Sequence, residues 1–483
     1  MLPATGWAAL AAGVLAAVLF GEGLGVNLLI VCLPVAFAAW TAARDAGRVP
    51  RPWTLAWSAG CLALLAVPVL RDAGWPSTLA VITALGVGSL ALNGGVTWRS
   101  AVLGVAGLVS AVVPGTRWAL RTVRERAAGS QKRWGPVLRA VAVAVVLLAV
   151  FGALFAGADA AFADLLTALM PDTSVGESPL HVLFFLLALL GALAAARLAA
   201  APRRWDRIRV KPGRSFGRLE WALPLVVLDL LFAAFNAVQL TVLFGGYDKI
   251  LAETDLSYAE YARQGFWQLL WATLLTLAVI AFALRWAPRG RQGDRTLVRL
   301  VLGALCVLTL VVVLSALRRM ELYVDAYGLT RLRASVTGME IWLGLVFVLL
   351  MVAGVVGGGR WLPRAVAASA ALGVLVFGLL SPDGLVASQN VARYERTGKI
   401  DLTYLDGLSA DAVPALDRLP EPMRSCVLRN IARDLEDDAG EPWFATSYGE
   451  SRARDILAGR PVDDGEAACR RVRGGGTGRL LVP

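Results

Sequence analysis

Inside the apolar run at residues 219–244, away from Glu220 at its edge, Asp229 lies near the middle, with Asn236 and Gln239 at i+7 and i+10 on the same helical side. A carboxylate at that depth costs roughly 2.5–3.5 kcal/mol on insertion scales, so it must face other helices and find a partner there. Such a row either lines a polar path for a ligand or serves as hydrogen-bonding glue between helices. A second group lies in RRMELYVDAYGLTRLRASVTGMEIW at 318–342, the densest cluster of charge and aromatic hydroxyl beside the apolar runs. Read as helix, it sets Arg318, Glu321 and Asp325 on one face, with Met320, Tyr323 and Tyr327 repeating the spacing beside them. A third, DLSYAEYARQGFW at 255–267, brings Tyr258, Glu260, Tyr261 and Arg263 to the start of another apolar run. Arg263, Arg331 and Arg333 have the chemistry to hold an anion or head group, with Glu260, Glu321 and Asp325 as acids; the alternative is that these charges pair with one another.

These groups depend on elements that the composition makes membrane helices. Of 483 residues 57% are hydrophobic and 17% charged, and the mean hydropathy is +0.63, values that exclude an ordinary soluble globular chain. Twelve apolar runs follow one another, at 2–20, 26–43, 53–70, 76–92, 101–114, 137–156, 180–200, 219–244, 265–286, 296–317, 339–356 and 361–380. The run at 101–114 is short for a span and is expected to be re-entrant or interfacial, leaving about eleven spans, with ten to twelve the range. The expected fold is an all-α polytopic transmembrane bundle with a small α-helical C-terminal domain. Its regions are 1–136, an N-terminal transmembrane part; 137–380, the core; and 381–483, a helical tail. Between two of the runs, Gly328 suits the left-handed residue past a helix end and Thr330 can cap the next helix, so 318–342 reads as a helical hairpin tip.

Arginine placement predicts orientation. The loop at 117–139 carries seven basic residues against Glu125, and the loop at 197–218 carries eight against Asp206, so both are expected in the cytoplasm, where they would meet anionic lipid head groups. Residues 158–178 hold Asp159, Asp164, Asp172 and Glu177 with no base, and are expected outside. Alternation then puts the N-terminus inside, and 245–264, the hairpin tip and the tail outside. The expected location is a plasma membrane.

The net charge of +11 does not imply nucleic acid, because the bases lie in short loops between apolar runs rather than on one face. Five cysteines show no metal spacing and His181 is the one histidine, so neither a metal site nor a cofactor is expected. If the tail is outside, Cys426 and Cys469 can pair; free thiols are the alternative. Prolines at 414, 420, 422, 442 and 461 divide the tail into short helices, the clearest at 423–435 with Val427, Ile431 and Leu435 on one face. An envelope partner could dock on this tail.

Five segments carry a family resemblance: GADAAF at 157–162, VQLTVLFGG at 238–246, YAEYARQGFWQL at 258–269, RMELYVDAYGLTRLR at 319–333, and NVARYERTGKIDLTYLDGLSADAVPAL at 390–416. Their order and combination resemble the DUF4153/DUF4173 family of bacterial multi-pass membrane proteins of uncharacterised function. The resemblance implies a bacterial cell membrane and shared motifs on one side of it, with no catalytic residue to carry over; the family's usual serine in the first motif is Gly157 here. The residues therefore leave three readings open: binding or transport of a small or envelope-related ligand, an enzyme acting on a lipid-linked substrate, or a sensor or scaffold.

Overall fold

The computed structural model describes residues 3–21, 23–127, 144, 147, 178–207, 217–245, 266–287, 292–357, 359–463 and 465–474. Nearly all of the expected run at 137–156, the acidic stretch at 158–177 and most of the 245–264 loop, with Tyr258, Glu260, Tyr261 and Arg263, lie outside these residues. Among the described residues every regular element is helical. Nine stretches of the described residues are long and apolar enough to cross a membrane: Asn27–Asp45, Pro52–Leu70, Gly74–Asn93, Pro179–Ala200, Arg218–Gln239, Phe266–Trp286, Gln292–Tyr327, Arg331–Val356 and Leu362–Leu379. The protein is thus an all-α polytopic membrane protein. The chain divides into two compact units, 1–207 with 435–454, and 208–434 with 455–483.

In the first unit, α1 (Pro3–Leu19), α2 (Asn27–Asp45) and α9 (Ser178–Ala200) pack through alanines. Ala8, Ala38, Ala42 and Ala196 form one contact layer, and Ala9, Ala12 and Ala192 the next. Side chains this small let helix backbones approach closely, which is how membrane helices gain dispersion energy without a hydrophobic drive between them. Thr5 and Thr41 share a hydrogen bond of 3.0 Å, so the start of α1 lies with the end of α2. At the other end Asn27, fully buried, closes the α1–α2 turn. Its Oδ1 accepts from the amides of Gly25 and Leu28, and its Nδ2 donates to the carbonyls of Leu19 and Gly23, all at 2.9 Å. The tail reaches this turn as well, since the Asn27 amide donates to the Phe444 carbonyl at 3.1 Å. Gly25 admits that approach: a Cβ there would stand 2.7 Å from the same carbonyl.

α3 (Pro52–Leu65) and α4 (Val67–Leu70) lead to α5 (Gly74–Asn93). The expected run at 101–114 is broken into α6 (Trp98–Val105), α7 (Gly107–Ser110) and the amphipathic α8 (Val112–Ala127). The Ser89 hydroxyl takes up groups freed at the first break, donating to the Gly104 carbonyl and accepting from the Leu108 amide at 2.9 Å. Thr97 Oγ1 donates to Asp206 at 2.7 Å, and Arg203 Nη2 donates to the Ser110 carbonyl at 2.8 Å. The segment is therefore tied at both Thr97 and Ser110 to one place, the residues just after α9.

In the second unit α10 (Arg218–Gly245) and α12 (Gln292–Tyr327) run parallel, with α11 (Phe266–Trp286) returning between them in sequence. Arg218 pairs with Asp294 at one end, and the Trp221 indole donates to the Ala283 carbonyl at 3.0 Å. At 36 residues, or about 54 Å, α12 is far longer than a hydrocarbon core of about 30 Å. Then come α13 (Arg331–Val356), α14 (Leu362–Leu379), α15 (Pro382–Thr397), α16 (Leu402–Leu405), α17 (Val413–Leu416), α18 (Met423–Asp437), α19 (Tyr448–Gly459) and α20 (Gly465–Gly474). The amphipathic stripe of α18 is as its spacing predicts, with Val427, Ile431 and Leu435 buried. Cys426 and Cys469 are joined in a disulfide. Beside it Arg424, 1% exposed, donates to Asp417 at 2.8 Å and to the Pro461 carbonyl at 3.2 Å, fastening the last part of the tail to α18.

Candidate functional site

The seam between α10 and α12 holds the row of polar side chains. Asp229 is half-buried, with Oδ1 enclosed and unbonded among the described residues, and Cys306 of α12 lies close enough to feel its charge. Asn236 is 3% exposed; its Nδ2 donates to the Leu308 carbonyl at 2.9 Å, while its Oδ1 is enclosed with no partner among the described residues. Gln239 Oε1 accepts from Ser315 Oγ and from Arg319 Nη2, both at 3.1 Å. The row is thus acid, amide, amide, and it ends on a guanidinium. Sequence reasoning passed over Arg319, although Val312, Ala316, Arg319 and Met320 lie on the buried stripe of α12, where a charged residue is itself a signal. It also passed over Glu340, which occupies the equivalent stripe of α13 with Val336, Leu343 and Phe347. Glu340 is 0% exposed; Oε1 accepts from Thr273 Oγ1 of α11 at 3.3 Å, and Oε2 has no partner among the described residues.

The hairpin tip forms the second locus. α12 ends at Tyr327, Gly328 follows at φ +84°, and Thr330 caps α13 by accepting from the Arg333 amide at 3.3 Å. Most of its charged groups are committed within the protein. Arg318 pairs with Glu321, both well exposed. Arg333 donates to the Gly328 carbonyl and lies over the rings of Tyr323 at 4.0 Å and Tyr327 at 5.9 Å. Arg331 Nε donates to Asp383 Oδ1 at 2.7 Å, and its Nη2 grips the other oxygen of that fully buried carboxylate. The Ser409 amide adds a third bond to Asp383 at 3.0 Å, and the Arg331 amide donates to the Tyr404 hydroxyl at 2.7 Å.

α15 also caps α12. Arg393 Nε donates to the Asp325 carbonyl at 3.0 Å and its Nη2 to that of Ala326, while Asn390 Nδ2 donates to the Leu329 carbonyl at 2.7 Å. Orphan carbonyls at a helix end are thereby satisfied from another helix. Asp325 itself is exposed and contributes its main chain here. Two of the quoted segments, 319–333 and 390–416, thus meet in one hydrogen-bonded knot.

A domain family of unknown function, DUF4153, matches residues 59–419, and that span takes in the polar row and both halves of the knot. The chain belongs to the DUF4153 family. No curated protein and no solved structure matches it.

Proposed function

We propose that this DUF4153 protein binds or carries a small solute along the α10–α12 seam. The observation that carries the reading is the pair of enclosed oxygens, Asp229 Oδ1 and Asn236 Oδ1, without a partner among the described residues and two helical turns apart on one side of α10. An unmatched acceptor in a membrane helix costs free energy that a donor can recover. Because the unmatched atoms are oxygens, the solute is one that presents hydrogen-bond donors, such as an ammonium or polyol group. Gln239 and Arg319 form the far end of the row. The arginines of the hairpin tip support the reading less, since Arg331 and Arg333 are engaged with Asp383 and Gly328.

The same proposal includes an orientation. The Cys426–Cys469 disulfide suits a tail in an oxidising compartment outside a plasma membrane. The arginines at 44, 48, 51, 203 and 204 suit a cytoplasmic end, and Thr5 of α1 shares that end through Thr41.

Proteoliposomes carrying the full chain test the transport reading, using uptake of radiolabelled ammonium-type and polyol solutes. Uptake above that of empty vesicles is expected for at least one class. Asp229→Asn should lower it by about tenfold, the effect of losing roughly 1.4 kcal/mol, while leaving yield and melting temperature unchanged. Equal uptake by the parent, the variant and empty vesicles would remove the row from any transport role.

A further inference from the structure

The arginine-rich end of the first unit has a feature that topology alone does not require. α2 closes on Gly47 at φ +66°, with the Arg48 amide donating back to the Ala43 carbonyl and the Gly47 amide to that of Arg44, both at 2.9 Å. This is a Schellman closure, and it folds Arg48 over the last turn of α2. Three residues on, Arg51 is the N-cap of α3, with Pro52 holding the helix start. The backbone on both sides of the short link is therefore fixed. Arg204 approaches from the chain after α9, whose last turns pack on α2 through Ala196, Ala200, Ala38 and Ala42.

These three arginines have no ion pair among the described residues, and they are near enough to act on one another: burial first, then the charges of Arg51 and Arg204, lower the proton affinity of Arg48. The adjacent acid does not relieve them. Asp206 is bound by the amides of Val96 and Thr97 and by the Thr97 hydroxyl. Asp45, the last residue of α2, has a partner of its own. Arg203 is held by the Ser110 carbonyl and lies over the Trp205 ring at 5.5 Å. Like charges gathered on a rigid frame, with the nearby acid engaged elsewhere, are a site awaiting an anion.

We propose that Arg48, Arg51 and Arg204 form a binding site for a phosphate group, either the phosphodiester of an anionic phospholipid or a soluble phosphate. Guanidinium forks match phosphate oxygens in pairs and remain charged at any physiological pH. The lipid source is favoured by Trp40 and Trp53, exposed at 47% and 52% beside the same helix ends, where indoles occupy the interfacial zone.

The test is the melting temperature of the purified full chain in a neutral detergent, with phosphatidylglycerol, phosphatidylcholine or inorganic phosphate added. Phosphatidylglycerol at about 100-fold excess over its dissociation constant should raise it by about 5 °C, and phosphatidylcholine should not. The triple variant Arg48→Gln, Arg51→Gln, Arg204→Gln should lose most of that rise. A control with the same loss of charge, Arg117→Gln, Arg121→Gln, Arg124→Gln on α8, should keep it. A rise with inorganic phosphate that matches the lipid's, and is lost in the same triple variant, would assign the site to a soluble phosphate. A rise retained in the triple variant or an equal loss in the control would each overturn the site.

Discussion

Glu340 and Asp383 are both acids with no exposure, and their surroundings assign them different parts. Asp383 is held by both arms of the Arg331 fork and by the Ser409 amide, so its part is structural. Removing its counter-ion strands a buried carboxylate: Arg331→Ala is expected to cost about 3–5 kcal/mol, read as a lower melting temperature and increased proteolysis of the hairpin tip. Among the described residues Glu340 has a single weak bond, from Thr273, so Glu340→Gln is expected to leave stability within about 1 kcal/mol of the parent or to raise it. A marked loss would mean that the carboxylate itself is in use. Gly328 is the third position with a clear expectation. A Cβ there would lie 2.2 Å from Asn390 Oδ1, on a backbone at φ +84°, so Gly328→Ala should destabilise by about 1–3 kcal/mol, and Asn390→Ala in the same chain should recover part of it.

At the scale of elements, most apolar runs marked their helices to within a few residues where the structure describes them, because a bilayer leaves the backbone little choice but to bond to itself; the exceptions are 101–114, which is broken into α6–α8, and the two hairpin helices, which continue beyond the apolar runs to Tyr327 and back to Arg331. The tip was legible for the same local reason: Gly328 and Thr330 sit where a stop and a start signal belong. What periodicity could not convey is pairing at a distance. Arg331 read either as a cation for an anion or as the partner of a charge in its own cluster, since nothing near it in the chain announces Asp383 52 residues later. Arg319 and Glu340 were hidden differently, as polar residues within stripes that otherwise read as core.

The tail offers two tests at this scale. Reducing the Cys426–Cys469 bridge reopens a loop with a sequence separation of 43, expected to cost about 4 kcal/mol on the loop-closure model and to show as earlier unfolding of the tail. Burial alone would raise the pKa of Glu421, but hydrogen bonds from Ser425 and Arg424 outweigh it and hold the carboxyl below the usual glutamate range. A group depressed on folding stabilises above its unfolded pKa, and that contribution fades as pH falls through the folded value. The tail should therefore lose stability below about pH 4, with a shallower slope in Glu421→Gln.

For the whole molecule, the sharpest topological expectation concerns the segment tied at Thr97 and Ser110 to residues 203–206. If it does not cross the membrane, reporters fused after Gly47 and after Gly129 will be found on one side; opposite sides would require the broken helix α6–α8 to pass through. The DUF4153 match, beginning at residue 59 and ending at 419, leaves out the α1–α2 hairpin and the Phe444 strap that meet in the first unit. That meeting has a consequence in time. The Asn27 amide is made about 420 residues before the carbonyl that will accept it, roughly 20–80 s at ordinary rates of synthesis. Throughout that interval the first hairpin must hold its turn unaided, and the Asn27 side chain, bonded to four backbone groups of its own neighbourhood, is what keeps the place open until the end of the chain arrives.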